Sequence, residues 1–157
     1  MRLSKVLVPI DFSPESRNAL LYARAFSRRS GASLTVLHVV EPILCQADYG
    51  YGPVGRQYPN QELLNKARAK LNKLCKRVTD IEHVPMAFVR SGMADAEIVQ
   101  TARDLNIDLI VMGTRGASRE PTATTSICEM VVRSAPCPVY IVRQKEHEFA
   151  WCRKAKR

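Results

Sequence analysis

The stretch Lys5-Val-Leu-Val-Pro-Ile-Asp-Phe-Ser-Pro14 joins a short apolar run directly to a helix start. A continuous apolar run without alternation is typical of a strand that is covered on both faces of a parallel sheet. Ser13 is a good N-cap, and Pro14 suits the first helical position. The stretch therefore predicts a strand over residues 5–10 and a helix from Pro14 to about Ser30, which Gly31 ends.

Strands and helices continue to alternate along the chain. Further strands are predicted over residues 33–40, 83–90, 108–112 and 137–142, and further helices over residues 61–78, 94–105 and 125–134. Residues 41–60, rich in Gly, Pro and Tyr, are predicted to form a long loop. This order predicts an α/β fold with one five-stranded, parallel, doubly wound, Rossmann-like sheet and helices on both faces. Such sheets bind ligands at the carboxyl ends of their strands, which points to residues 9–13, 39–42 and 112–126.

Length and composition predict a single cytoplasmic domain. The 157 residues suffice for one hydrophobic core, and no apolar run approaches the ~20 residues of a membrane helix. The apolar run near the N-terminus is too short for a signal peptide. Five cysteines, an odd number without CxxC spacing, indicate reduced thiols, and the three histidines are not at metal-ligand spacing. No metal site is predicted, although whether a metal accompanies a ligand is left open.

The net charge of +9 is concentrated in part at the C-terminus, where residues 143–157 hold six basic and two acidic side chains. We predict a domain over residues 1–143 and a basic tail over residues 144–157. Such a tail is either an anion-binding segment or a solvated terminus. Because no basic stripe interleaved with aromatic residues and no helix-turn-helix pattern occurs, we favour the solvated terminus and predict no nucleic-acid partner. A membrane partner is not predicted either, since no apolar run is long enough to span a membrane.

Four segments, in the right order, give the chain its resemblance to a known family. They are Val6-Leu-Val-Pro-Ile-Asp-Phe-Ser13, Leu37-His-Val-Val40, Asp108-Leu-Ile-Val-Met-Gly-Thr-Arg-Gly116 and Ala135-Pro-Cys-Pro-Val-Tyr-Ile-Val142. Over nearly its full length the chain resembles the universal stress proteins. The resemblance implies the strand order 3-2-1-4-5, a homodimer through the last strand, Val139 to Val142, and for some members a bound adenine nucleotide, ATP or AMP.

The phosphate loop departs from the family pattern. ATP-binding members carry Gly, two residues, Gly, nine residues, Gly, and then Ser or Thr, and Gly113 with Gly116 supplies the first half. Counting forward places Ser126 and Ile127 at the second half, whereas aligning back from the last strand places Thr125 and Ser126 there. In either alignment the last glycine is missing. The β-branched Thr125 would hinder close backbone approach to a phosphate, although hydroxyl and arginine side chains could hold the phosphate instead.

The resemblance also implies the residues of a nucleotide site. They are Pro9, Ile10, Asp11, Val39, Met112, Gly113, Arg115, Gly116, Thr125, Ser126 and Ile127. Asp11 suits ribose hydroxyls or the base edge, and its alternative role is that of a partner for the helix N-terminus. For Val39 and Met112 the alternative is plain core packing.

Three functions remain open from the sequence. The first is a dimeric stress-response or signalling module that binds ATP or AMP without efficient turnover. The second is a protein-interaction module with an empty cleft, acting through residues 41–60, the last strand and the basic tail with an unknown protein partner. The third is a slow ATPase, which the absence of a nucleophile–base–acid pattern disfavours, so we predict a protein that is not an enzyme. His38 is predicted to be a satisfied core histidine, and Gly50-Tyr-Gly-Pro-Val-Gly55 lies too far from a strand to be a dinucleotide fingerprint.

Overall fold

Strands and helices alternate through residues 3–45, 55–78, 85–114 and 126–143, which this computed structural model describes. The strands are β1 (Lys5–Pro9), β2 (Ser33–Val40), β3 (Ile43–Cys45), β4 (Gly55–Gln57), β5 (Met86–Ser91), β6 (Leu109–Gly113) and β7 (Val139–Val142). The helices are α1 (Pro14–Ser30), α2 (Gln61–Val78), α3 (Ala94–Asp104) and α4 (Ile127–Ser134).

Five of the strands form one parallel sheet in the order β5-β2-β1-β6-β7. In the order in which these five strands occur along the chain, this is 3-2-1-4-5, so the predicted fold class and strand order are confirmed. Val6 on the central strand lies opposite Leu34 of β2 and Leu109 of β6. The strand order reverses between β1 and β6, which is where a sheet of this kind opens a crevice for ligands.

The helices cover the sheet in two layers because side chains alternate along each strand. Val6 and Val8 point into a core with α1 and α2, whereas Leu7 points into a core with α3 and α4. All three are fully buried, and burying a side chain of this size contributes about 1.5–3 kcal/mol. The predicted doubly wound arrangement is therefore built on two separate apolar cores, one on each face.

The ends of α1 follow the sequence prediction. The Ser13 hydroxyl accepts a hydrogen bond from the Ser16 N–H at 3.1 Å, and Pro14 opens the helix. Gly31 adopts a left-handed conformation with φ 72° and donates its N–H to the carbonyl of Ser27. A residue without Cβ takes this conformation without strain, which explains why the helix ends there.

The prediction that residues 41–60 form a loop without regular structure is wrong for two short segments. β3 and β4 pair antiparallel as a small separate sheet, with Ile43 opposite Gln57. Three-residue strands carry too few side chains for an alternation pattern to be read. Gly55 opens β4, and the rest of the Gly50–Gly55 motif lies outside the described residues.

Most other element boundaries differ from prediction by one or two residues. α4 begins at Ile127 rather than at residue 125, since Ser126 is its N-cap. The strand predicted over residues 83–90 is described from Met86 to Ser91, and residues 83 and 84 lie outside the described part of the chain. The basic tail of residues 144–157 also lies outside it. None of the described helices combines the length and apolar character needed to cross a membrane.

Candidate functional site

Three predicted site residues meet at the carboxyl ends of adjacent strands. Met112, the penultimate residue of β6, is part of the core beneath α3 and α4, and Val39 of β2 packs against the same core. Pro9 follows Leu7 by two residues on β1, and therefore points to the same face. All three residues lie at the carboxyl ends of their strands on the α3/α4 side of the sheet, and we call them the floor of the candidate cleft. Met112 is 6% exposed, whereas Pro9 and Val39 are half-buried and so more available to a ligand.

Asp11 lies at the start of α1 beside this floor. Its Oδ1 accepts hydrogen bonds from the Ser13 N–H at 3.0 Å and from the Ser13 hydroxyl at 2.6 Å. The carboxylate thus stabilises the turn into the helix, as the alternative to a ligand role predicts. A nucleotide that bound Asp11 would share the carboxylate with Ser13.

Ile10 is separated from the cleft floor. Its side chain is 3% exposed and packs in the core beneath α1 and α2, on the opposite face of the sheet. Its N–H donates to the Leu37 carbonyl at 2.7 Å, and its carbonyl contacts His38 Nδ1 at 2.6 Å. Ile10 can therefore reach a ligand only through its main chain, which is already engaged by β2.

A cluster on the opposite face of the sheet holds this turn in place. The rings of Phe12 and His38 lie 4.6 Å apart, and Lys70 Nζ of α2 is 4.1 Å from the Phe12 ring centroid. Phe12 has φ 66°, a left-handed conformation that is rare for a bulky residue. The sequence shows no pattern for these contacts, because they depend on the packing of α2 against the turn.

His38 is satisfied by a hydrogen bond, as predicted, but is half-buried rather than fully buried. Burial is the main cause that lowers its pKa from the usual value, and the cationic Lys70 lowers it further. The bond to the Ile10 carbonyl and the charge of Asp11 act in the opposite direction. A carbonyl can only accept a hydrogen bond. Nδ1 of His38 therefore carries the proton and donates the hydrogen bond to the Ile10 carbonyl.

The phosphate end of the predicted site has two described anchor points, Gly113 and Ser126. A Cβ on Gly113 would lie 2.9 Å from the carbonyl carbon and from Cβ of Glu15, so the close approach of α1 to β6 requires a glycine there. Ser126 Oγ accepts from the Glu129 N–H at 3.2 Å and caps α4. The Ser126 hydroxyl hydrogen remains a donor that could meet an anion at this helix N-terminus.

The remaining predicted phosphate residues, Arg115, Gly116 and Thr125, lie outside the described part of the chain. Ile127 is half-buried against the α3/α4 core and is the first residue of α4. An open depression of about 620 Å³ lies beside α4 and β7. Its lining includes Thr114, Ser126 and Ile141 but none of the cleft-floor residues, so it is a feature of the sheet edge.

The described side chains are better suited to binding than to covalent chemistry. Burial raises the pKa of the thiols of Cys75, Cys128 and Cys137, which disfavours a nucleophilic thiolate. Within the four described ranges no group of three or more His, Cys, Asp or Glu residues could hold a metal ion. The arrangement supplies an apolar floor, one carboxylate and a helix N-terminus.

These features define a doubly wound α/β protein whose candidate ligand site lies at the switch point of its sheet. The chain belongs to the universal stress protein family, whose sequence profile matches residues 3–143. It is 32% identical over 141 residues to a universal stress protein of Thermus aquaticus, covering 88% of this chain and 97% of the relative.

Solved universal stress protein structures share the fold. One, solved in complex with cAMP, superposes with a TM-score of 0.70 and 19% identity, covering 92% of this chain and 100% of that chain. Another, from Archaeoglobus fulgidus and in complex with dAMP, superposes with a TM-score of 0.65 and 19% identity, covering 90% of this chain and 99% of that chain.

Proposed function

We propose that this universal stress protein binds an adenine nucleotide in the cleft above Pro9, Val39 and Met112, and that it serves as a stress-response or signalling module. The observation that carries the proposal is the convergence of these three side chains at the switch point, with the Asp11 carboxylate beside them. Two proteins of the same fold, solved with cAMP and with dAMP, support an adenine ligand.

The adenosine half of the site is expected to supply most of the affinity. Its floor is apolar and pre-formed, which suits a flat base. At the phosphate end, Gly113 is explained by the packing of Glu15, so its presence is not by itself a mark of phosphate binding. The last glycine of the family pattern is missing, and fewer backbone amides can approach the phosphates. We therefore expect AMP to bind within about tenfold of ATP, which is 1.4 kcal/mol.

Calorimetric titration with ATP, AMP and cAMP tests the proposal, alongside thermal unfolding with and without each nucleotide. A ligand that binds only the folded state stabilises it by about 2.7 kcal/mol at one hundred times its Kd. Asp11→Asn keeps an oxygen that can accept from Ser13 but removes the charge, and it is expected to weaken binding. Asp104→Asn, on an exposed carboxylate of α3, is the matched control. The absence of any thermal shift at millimolar nucleotide would reject the proposal.

The module is inferred to bind its nucleotide without efficient turnover, in keeping with one carboxylate and no activated thiol among the described cleft residues. A phosphate-release assay on purified protein tests this. Release no faster than from Asp11→Ala is the expected result, and clear release that the variant abolishes would make the protein a slow ATPase.

We further propose a homodimer joined through β7, in the cytoplasm. β7 is an edge strand of the sheet, and such an edge needs a partner or a cover. Ile141 on β7 is 37% exposed and Val132 on α4 is 48% exposed, so apolar surface continues from the strand onto the helix. Five cysteines without CxxC spacing suit a reducing compartment.

A protein-interaction module is the second candidate function because apolar side chains are exposed on and next to the two-stranded sheet of β3 and β4. Ile43 of β3 is 63% exposed, and Tyr58, which follows β4, is 62% exposed. This candidate predicts an unfolding temperature that no adenine nucleotide changes, together with a protein complex that Ile43→Ser and Tyr58→Ser dissociate. The calorimetric titration therefore separates the two functions.

A further inference from the structure

The two helical layers of the sheet differ sharply in charge. α1 and α2 together hold ten basic and two acidic residues, a net charge of +8. α3 and α4 together hold two basic and four acidic residues, a net charge of −2. The nucleotide cleft proposed above lies on the α3/α4 side, so the basic layer belongs to a different surface of the molecule.

Three of the four basic residues of α1 form a row on one flank of the helix. Arg17, Arg24 and Arg28 recur at helical spacing, so they lie along one line. Tyr22 and Phe26, on the other flank of α1, contact Tyr140 of β7. The arginine row therefore faces away from β7, towards α2.

A second row lies on α2. Lys66, Lys70, Lys73 and Arg77 recur at intervals of four, three and four residues, and all four are exposed. Lys70 lies over the ring of Phe12, which immediately precedes α1, so this flank of α2 is the one turned towards α1. The two rows border the gap between the helices, and we call the seven residues of both rows the basic groove.

The dimensions of the basic groove suit a charged strand rather than a single anion. The first and last residues of each row are eleven positions apart, which is ~16 Å along an α-helix. α1 packs on β1 and β6 and α2 packs on β2 and β5, so the two helices are neighbours on one face of the sheet. Lys70 reaches across the gap between them to Phe12, which shows that long basic side chains can border one surface. One strand of B-DNA carries a phosphate every ~3.4 Å of helix axis, so a row can face several phosphates at once.

We propose that the basic groove binds the phosphate backbone of duplex DNA without regard to sequence. The sequence alone predicts no nucleic-acid partner because it shows neither a basic stripe interleaved with aromatic residues nor a helix-turn-helix pattern. The fold creates the surface by placing the two rows side by side. Sequence-independent DNA binding is supplied almost entirely by such electrostatic contacts.

Other polyanions fit the groove less well. An anionic membrane is held by an amphipathic helix through a continuous apolar face. The apolar stripes of α1 and α2 are packed in the core, and among their described side chains one large apolar residue on each helix, Leu21 and Leu63, is exposed. Protein interfaces are depleted in lysine, whereas three of the four cations in the α2 row are lysines. Single strands are held by stacking on aromatic rings, and the exposed side chains described on these two helices include none.

Fluorescence anisotropy with a labelled 20-base-pair duplex of arbitrary sequence, titrated between 50 and 200 mM KCl, tests the proposal. The groove variant carries Lys66→Gln, Lys73→Gln and Arg77→Gln, and leaves Lys70 in contact with Phe12. The first control makes the same charge change elsewhere, with Arg103→Gln, Arg133→Gln and Arg143→Gln. A second control neutralises three tail residues, with Arg153→Gln, Lys154→Gln and Lys156→Gln. Circular dichroism and thermal unfolding establish that each variant folds.

We expect wild type to bind the duplex with an affinity that falls steeply as the salt concentration rises. In a plot of the logarithm of the binding constant against the logarithm of the salt concentration, each phosphate contact contributes ~0.9 to the slope. The groove variant should lose ~3 units of slope and at least about tenfold in affinity, whereas both controls retain most of the binding. An equal loss in all three variants, or a loss confined to the tail variant, would overturn the proposal. So would equally tight binding of single-stranded DNA, or binding to phosphatidylserine vesicles without binding to the duplex.

Discussion

His38 connects the chemistry of one side chain to the shape of the turn beside the cleft. Its ring donates to the Ile10 carbonyl and packs against the Phe12 ring at a tilt of 53°, and burial lowers its pKa. In the unfolded chain the pKa returns to its ordinary value of about 6.5. As pH falls through that value, the unfolded state binds a proton that the folded state resists. The stabilising effect is therefore present above about pH 6.5 and declines as the medium becomes more acidic.

We expect the free energy of unfolding of wild type to fall between pH 7.5 and pH 5 more steeply than that of His38→Asn. Asparagine places an amide donor where Nδ1 lies, so it can keep the bond to Ile10 without titrating. Urea denaturation followed by circular dichroism measures both curves, and the remaining histidines, present in both proteins, cancel in the difference. If the free energy of unfolding changed with pH equally in both proteins, the titration of His38 would not contribute to the pH dependence of stability.

Gly113 tests whether a motif glycine is explained by packing. Gly113→Ala would press a methyl group to 2.9 Å from the Glu15 main chain, which cannot move without displacing α1. We expect a loss of about 1–3 kcal/mol in the free energy of unfolding without any nucleotide present. Gly31→Asn is the control, since nothing lies within 4 Å of its added Cβ and asparagine tolerates the left-handed conformation. If Gly113→Ala were as stable as wild type, the packing explanation would be rejected, and a role in ligand binding would remain as the explanation for Gly113.

At the scale of the element, α4 depends on Ser126 for its N-terminus. Ser126→Ala removes the bond to the Glu129 N–H and should cost about 1 kcal/mol. Ser126→Asp keeps a capping oxygen and a favourable charge at the helix N-terminus, so its stability should match wild type. If a phosphate lies at this end, the aspartate should nevertheless weaken nucleotide binding by repulsion. Denaturation and calorimetry on the two variants separate the capping role from the ligand role.

The elements differ in how far the sequence predicts them. β1, β2 and α1 are predicted closely because continuous apolar runs, an N-cap serine and a terminal glycine act locally. The hairpin of β3 and β4 is missed because its strands are only three residues long. The floor of the site is predicted from the order of strands, but the His38–Phe12–Lys70 cluster is not, since a positive φ at Phe12 depends on tertiary packing.

At the scale of the molecule, the parallel sheet separates two surfaces of different character. Side chains alternate between the two faces along β1 and at the residue that follows it. Pro9 therefore points towards the proposed nucleotide cleft, whereas Ile10 packs in the layer that carries the basic groove. His38 and Phe12 lie on the basic side yet hold the turn that borders the cleft. A ligand that moved this turn would displace Phe12, on whose ring Lys70 lies, so the cluster of His38, Phe12 and Lys70 physically connects the two surfaces.

The two edges of the sheet give the last prediction, which concerns assembly. β7 and β5 are both edge strands, and Met86 on β5 is 56% exposed, more than Ile141 on β7. Exposure alone would favour β5, but apolar surface continues from Ile141 to Val132 of α4 beside an open depression. A charge buried in an apolar interface is costly unless it is paired. We therefore expect Ile141→Lys to shift the protein from dimer to monomer in light scattering coupled to size-exclusion chromatography.

Met86→Lys is the matched control for this experiment, because it places the same charge on the opposite edge of the same sheet. It should leave the dimer intact, and both variants should unfold within about 0.5 kcal/mol of the wild-type protomer, as is usual for exposed positions. A monomeric wild type at tens of micromolar would remove the dimer altogether. Dissociation by Met86→Lys but not by Ile141→Lys would instead move the interface to β5, next to the basic layer, and leave β7 and its depression open to another partner.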